Sequence, residues 1–180
     1  MGGITMTENK DRVSIEEDDF WDKEDEDSMK NRYLTFRVGE EDYGIEIVYV
    51  TEIVGIQNIT EVPDMPAFVK GVINLRGQVI PVIDVRTRFK LPFREYDDRT
   101  CFIVVNINAS SIGLIVDTVS EVINIPEDQI SPPPEINAGD SARYIQGMGK
   151  VEDRVKILLD VQKLLLDNET DKKIENVSNS

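Results

Sequence analysis

Residues 71–85 read GVINLRGQVIPVIDV, two apolar runs separated by Arg76-Gly77. Val72, Ile73 and Leu75 precede the break, and Val79, Ile80, Val82 and Ile83 follow it, which predicts two strands joined by a tight turn. A β-branched run without polar alternation suits strands buried on both faces. Gly77 supplies the positive φ that a two-residue hairpin loop needs. Pro81 has no N–H for a ladder, which predicts an edge strand or a bulge at that point. One guanidinium, Arg76, is thereby raised on a rigid apolar hairpin.

Around this hairpin the chain repeats itself. YLTFRV (33–38) lies over FIVVNI (102–107), and at the same offset YGIEIVYVTEIVGI (43–56) lies over IGLIVDTVSEVINI (112–125). The match pairs Gly44 with Gly113, Val50 with Val119 and Glu52 with Glu121. Past the longer SPPPEINAGDSAR the offset grows, and FVKG (68–71) meets YIQG (144–147) while VIPVIDV (79–85) meets VKILLDV (155–161). Each half thus repeats strand, strand, a short turn or helical segment, strand and then the glycine-led hairpin; five short strands around a hydrophobic interior predict a mainly β fold with one small closed barrel per half. Gly44 and Gly113 mark a shared backbone requirement. The expected boundaries are an acidic disordered extension over 1–31, a domain over 32–167 with halves of about 32–98 and 99–167, and a polar tail over 168–180.

Composition narrows the function. The chain has 180 residues, a net charge of −15, no histidine and one cysteine. Without histidine the commonest general base and metal ligand is missing. Cys101, in the run CFIVV, reads as a small buried hydrophobe, and a lone thiol closes no internal disulfide. No apolar stretch approaches the ~20 residues that span a bilayer. The extension holds EEDDFWDKEDEDS, with Phe20 and Trp21 as its aromatic pair, and no signal-peptide pattern. Against this acidic background, Lys70, Arg76, Arg86, Arg88, Lys90 and Arg94 face only Asp84 within 65–94, a candidate contact surface.

Asp84 and Asp160 each precede a short helical stretch, DVRTRF and DVQKLLLD, and read as N-caps rather than as a catalytic carboxylate pair. Val161, Leu164 and Leu165 then share one side of a docked C-terminal amphipathic helix. Where the halves differ, function has freer rein: Leu75-Arg76-Gly77 faces Val151-Glu152-Asp153, so the tight Arg-Gly turn and its charge belong to the first half alone. The recurrence of Glu52 as Glu121 points to a structural role for both. There is no glycine-rich phosphate loop, no GxSxG elbow and no Cys/His metal spacing. A catalytically silent binding module with no cofactor is the expectation.

These segments in this order, above all GVINLRGQVIPVIDVR and YIQGMGKVEDRVKILLDVQKLL, resemble the CheW family of chemotaxis coupling proteins over 32–166. The long acidic extension departs from the family pattern. The resemblance implies two SH3-like five-stranded barrels around a shared core. It implies a cytoplasmic adaptor, not an enzyme, recruited to chemoreceptor arrays. There it bridges the cytoplasmic tip of transmembrane chemoreceptors and the regulatory domain of the histidine kinase CheA. By resemblance the receptor-facing surface takes in Arg76, Val50 and Glu52, and the kinase-facing surface an apolar patch of Leu34, Ile47 and Val50 on the first barrel.

Two other readings stand beside this one. One is a CheW-like regulatory domain of a larger kinase or a receiver-fused adaptor. The other is a barrel that binds nucleic acid, which needs a basic groove with interleaved aromatics. The 65–94 stretch offers only Phe68, Phe89 and Phe93 for that, each explicable as core.

Overall fold

The computed structural model describes residues 29–134 and 140–165. The acidic stretch through residue 28, with Phe20 and Trp21, and the tail over 168–180 lie outside the described residues.

The first half forms β1 (Arg32–Val38), β2 (Glu41–Glu46), a 3₁₀ turn (Ile47–Tyr49), β3 (Val50–Gly55), β4 (Val69–Leu75), β5 (Gln78–Asp84) and α1 (Val85–Arg88). The second forms β6 (Cys101–Ile107), β7 (Ser110–Val116), β8 (Thr118–Asn124), a two-residue β9 (Ile130–Ser131), β10 (Ile145–Val151), β11 (Arg154–Leu159) and α2 (Val161–Leu165). The strands make two sheets, ordered β8-β1-β2-β11-β10-β9 and β3-β6-β7-β5-β4. Mainly β architecture with two sheets and short helices is as the sequence predicts.

The composition of the sheets corrects one expectation. Neither barrel is built from one half of the sequence. The β1–β2 hairpin of the first half pairs with β8 and β11 of the second, and the β6–β7 hairpin of the second pairs with β3 and β5 of the first. Both sheets keep the same order of repeat-equivalent strands, with the leading hairpins exchanged. The exchange joins the halves through the parallel contacts β2–β11 and β5–β7, where Gly44 meets Leu158 and Gly113 meets Val82. A Cβ on Gly44 would lie 3.0 Å from Leu158 Cδ2, and one on Gly113 2.9 Å from Val82 Cγ1. The recurrent glycines therefore serve close approach of an exchanged strand.

Three hydrophobic clusters follow. Ile73, Ile80, Val82, Phe102, Val104 and Ile115 fill the interior of the five-stranded sheet. Tyr33, Ile125 and Leu158 fill that of the six-stranded one. Between the sheets lies the largest cluster, which includes Leu34, Phe36, Ile45, Ile83, Ile103, Val105 and Leu114 and is closed by Val161, Leu164 and Leu165 of α2. Strands β5 and β6 are buried on both faces because alternate residues face a barrel interior and this shared core. That is why their sequences lack polar alternation.

Other details depart from expectation. β5 lies inside its sheet, not at an edge, and the bulge falls on β4 between Val69 and Gly71. Pro81 is tolerated because the ladder to β7 begins only at Val82. Cys101 is half-buried rather than buried, with Sγ 3.3 Å from the Arg99 carbonyl. Phe68 and Phe89 pack against the shared core, but Phe93 is 56% exposed, edge-on to Tyr96 and 4.7 Å from Lys70 Nζ. The caps form as expected. Asp84 accepts the N–H groups of Arg86 and Thr87 at 2.9 and 3.4 Å, and Asp160 that of Lys163 at 3.0 Å.

Candidate functional site

Arg76 is placed by turn chemistry. Leu75 registers with Gln78, leaving Arg76 and Gly77 as a two-residue loop with φ of 53° and 85°, the signs that a type I′ turn requires. Asn74 Oδ1 accepts the Gly77 N–H at 2.8 Å, and Leu75 packs on the barrel interior below. The Arg76 side chain is 69% exposed and forms an ion pair with Glu52 of β3. β3 and β4 are the two edges of the five-stranded sheet, so this pair ties the hairpin tip to the opposite edge strand. An exposed ion pair of this kind contributes little to stability and opens easily. It holds the guanidinium in place without consuming it.

Two of the residues assigned to a receptor face, Arg76 and Glu52, are thus in contact. The third, Val50, lies two residues before Glu52 on β3, half-buried against the shared core, with a bulge between them. Glu52 does not share a role with Glu121. Glu121 is exposed, and its backbone exchanges hydrogen bonds with the Thr35 hydroxyl at 2.7 and 3.2 Å. Nor is the tight turn peculiar to the first half: Val151 registers with Arg154, and Glu152 also has a positive φ of 55°. The two tips differ in charge and in the second loop residue, Gly77 with φ of 85° in the first and Asp153 without a positive φ in the second.

The apolar patch is corrected in part. Leu34 is 1% exposed, sandwiched between β2 and β8 within the shared core, and presents no surface to a partner. Ile47 and Val50 remain half-buried at the 3₁₀ crossover from one sheet to the other, not on one barrel. Exposed aliphatic residues of the first half are Val48 at 59%, Ile53 at 44% and Val79 at 49%. The short turn expected between the second and third strands is the 3₁₀ turn, and it sets which residues of IVYVTEIV face out. The repeat held a signal: Ile53 matches Val122 and Val79 matches Val155, and both partners are exposed too.

The basic stretch is not a continuous positive face. Arg76 pairs with Glu52, Arg86 with Asp117 at 3.0 Å, and Arg94 with Asp97 at 2.9 Å and Asp117 at 3.3 Å. Arg88 lies over the rings of Phe68 and Tyr144 at 4.1 and 4.7 Å. These ion pairs break up the continuous basic face that a nucleic-acid reading needs.

Two carboxylates act as hubs. Burial alone would raise the Asp117 carboxyl, but Arg86, the Gly39 N–H at 2.8 Å and Arg94 outweigh it and hold it below the usual carboxylate range. Burial of Asp42 is likewise outweighed by Lys156, Arg154 and Arg37, at 3.1, 3.0 and 3.2 Å. A carboxyl with a depressed folded-state pKa contributes stability above its unfolded value, near 4, and loses it as pH falls through the folded one. Acid unfolding is therefore expected to set in below about pH 4, and Asp117→Asn to flatten that dependence while lowering stability at neutral pH. Urea titrations stepped from pH 7 to pH 2.5 measure both.

Fold and site together define a paired-barrel binding module that presents an oriented guanidinium and several exposed apolar residues. Residues 32–169 match the family model described as CheW-like domain. The chain is 38% identical over 143 residues to the chemotaxis protein CheW of Klebsiella aerogenes, covering 79% of this chain and 86% of that one. It is 35% identical over 134 residues to CheW of Bacillus subtilis, covering 74% and 86%. The crystal structure of the scaffolding protein TtCheW from Thermoanaerobacter tengcongensis superposes with a TM-score of 0.71 at 39% identity, covering 77% of this chain and 94% of that one. The chain belongs to the CheW family of chemotaxis scaffold proteins.

Proposed function

We propose that this protein is a non-catalytic chemotaxis adaptor that couples the cytoplasmic tips of transmembrane chemoreceptors to the regulatory domain of the histidine kinase CheA, so that receptor state controls kinase activity. It works in the cytoplasm, recruited to receptor arrays. Among the described residues no helix is long and apolar enough to cross a membrane. The observation that carries the reading is Arg76, an exposed arginine beside Glu52 on a hairpin tip that Asn74 braces through the Gly77 N–H, within a CheW-like domain. An adaptor without chemistry transmits a signal as a difference in contact free energy between receptor states, and coupling of about 1–3 kcal/mol is enough to change output several-fold. The strand exchange supports this role: barrels that share hairpins hold two partners in one fixed geometry.

In this scheme Arg76 orients the receptor by bidentate pairing, with Glu52 and Val50 alongside it. Ile47 and Val50 contribute apolar contact to the kinase. Arg76→Ala is expected to keep the fold and weaken binding of a soluble receptor signalling fragment by about tenfold or more. Calorimetric titration measures it, and an unchanged affinity removes Arg76 from the receptor face. Ile47→Asp is a poorer probe of the kinase face, because part of Ile47 packs on the shared core. Val48→Asp tests the same crossover without that cost.

A further inference from the structure

A pocket of about 590 Å³ opens beside the six-stranded sheet, lined by Tyr33, Glu46 and Val48 of the first half and by Glu127, Ile130 and Gln146 of the second. The hairpin exchange brings these residues together. The Tyr33 ring packs with Ile125 and Leu158, and the residue is 4% exposed. Tyr33 registers with Glu46 across β1 and β2, so the two side chains stand on one face. Burial, and then Glu46 and Glu127, push the Tyr33 hydroxyl above the ordinary phenol range. That hydroxyl has no hydrogen-bond partner among the described residues, a costly state for a polar group this buried unless a ligand completes it. The repeat shows that the fold does not ask for these groups. Tyr33 and Glu46 correspond to Phe102 and Ile115, which are buried in the apolar interior of the other sheet.

Gln146 Nε2 donates to Glu46 Oε1 at 3.0 Å, and the second oxygen has no hydrogen bond among the described residues. Glu127 has Lys30 at 3.9 Å, outside hydrogen-bond reach, with both side chains largely exposed. Glu46, Glu127 and the Tyr33 hydroxyl can all accept, and an ammonium has three donors at the end of a four-carbon stem. Val48 and Ile130 offer that stem apolar contact. We propose that this pocket receives a lysine side chain of a partner protein, its ammonium held by Glu46, Glu127 and the Tyr33 hydroxyl. A pocket of this volume has room for chain on either side of the lysine. Arg76, Glu52, Ile47 and Val50 do not line it, so the contact is separate from the receptor-facing and kinase-facing residues.

Titration of the nitrogen-15-labelled full chain at low salt with a blocked leucine-lysine-leucine tripeptide tests this by amide shifts. Saturable shifts are expected at Glu46, Val48, Glu127 and Gln146. Norleucine in place of the lysine, which keeps the stem and removes the charge, is expected to weaken binding by about fivefold or more, as is Glu46→Gln/Glu127→Gln. Tyr33→Phe keeps the ring in the core and is expected to weaken binding by about threefold. Unmoved amides outside the pocket report that each variant is folded. Equal binding of the norleucine peptide overturns the proposal and leaves an apolar surface only. Binding of n-butylammonium as tight as that of the tripeptide overturns it in favour of a free amine. The absence of saturable shifts up to about 10 mM overturns it outright.

Discussion

Replacing Gly71 by alanine is expected to lower stability by about 3 kcal/mol or more, dropping the thermal midpoint by roughly 6–12 °C. Gly71 sits at the bulge that opens the hairpin, with φ of 149°, a conformation that L side chains rarely adopt. A Cβ there would lie 2.1 Å from the Thr60 carbonyl oxygen. That oxygen accepts the Val72 N–H at 2.9 Å, and the Val72 carbonyl accepts the Thr60 N–H at 2.8 Å. Both bonds of the bridge must open to admit a methyl group, and the strain at φ adds to their loss. Gly55 is the control, since a Cβ there meets nothing within 4 Å and its φ is ordinary. Gly55→Ala is expected to change stability by less than about 1 kcal/mol. Thermal unfolding of the two variants compares them directly, and equal midpoints would contradict the close approach.

Asp84→Ala is expected to cost about 3 kcal/mol, against about 1 kcal/mol for Asp160→Ala. The two residues are repeat-equivalent caps, but their surroundings differ. Asp84 is 1% exposed, and its second oxygen accepts the Tyr96 hydroxyl at 2.7 Å. Burial, and then the hydrogen bond to this carboxylate, push the Tyr96 hydroxyl well above the ordinary phenol range. Removing Asp84 loses the α1 cap and strands that hydroxyl. Asp160 caps α2 through one hydrogen bond near solvent. Urea unfolding measures both, and Tyr96→Phe is expected to recover part of the Asp84→Ala loss when the two are combined. Equal costs at the two caps would show that the Tyr96 bond contributes nothing.

Much of this architecture was legible in the residues. The hairpin with its Arg-Gly tip, the doubled strand pattern, the aspartate caps and the apolar side of α2 rest on local rules, and local rules survive folding. Which strands pair was not legible. A repeat says which strands are alike. With the same order in both sheets, exchanged and unexchanged hairpins bury the same hydrophobic pattern. The same limit explains Leu34, which is buried in a shared core that forms only when strands of both halves come together. Glu52 was obscured by its echo at Glu121, because the ion pair with Arg76 exists only once the sheet curls its two edges together. The short turn between β2 and β3 was legible from the repeat, but not that it would leave Val48 exposed between half-buried Ile47 and Tyr49.

The bridging role is tested by sedimenting membrane vesicles that carry a chemoreceptor with the histidine kinase, in the presence and absence of this protein. The kinase is expected to sediment with the vesicles only when the protein is added, and Arg76→Ala to reduce the amount by about tenfold at limiting concentration. A folded protein that leaves the kinase in the supernatant, with receptor and kinase each competent by an independent assay, would contradict the adaptor assignment while leaving the paired-barrel fold intact.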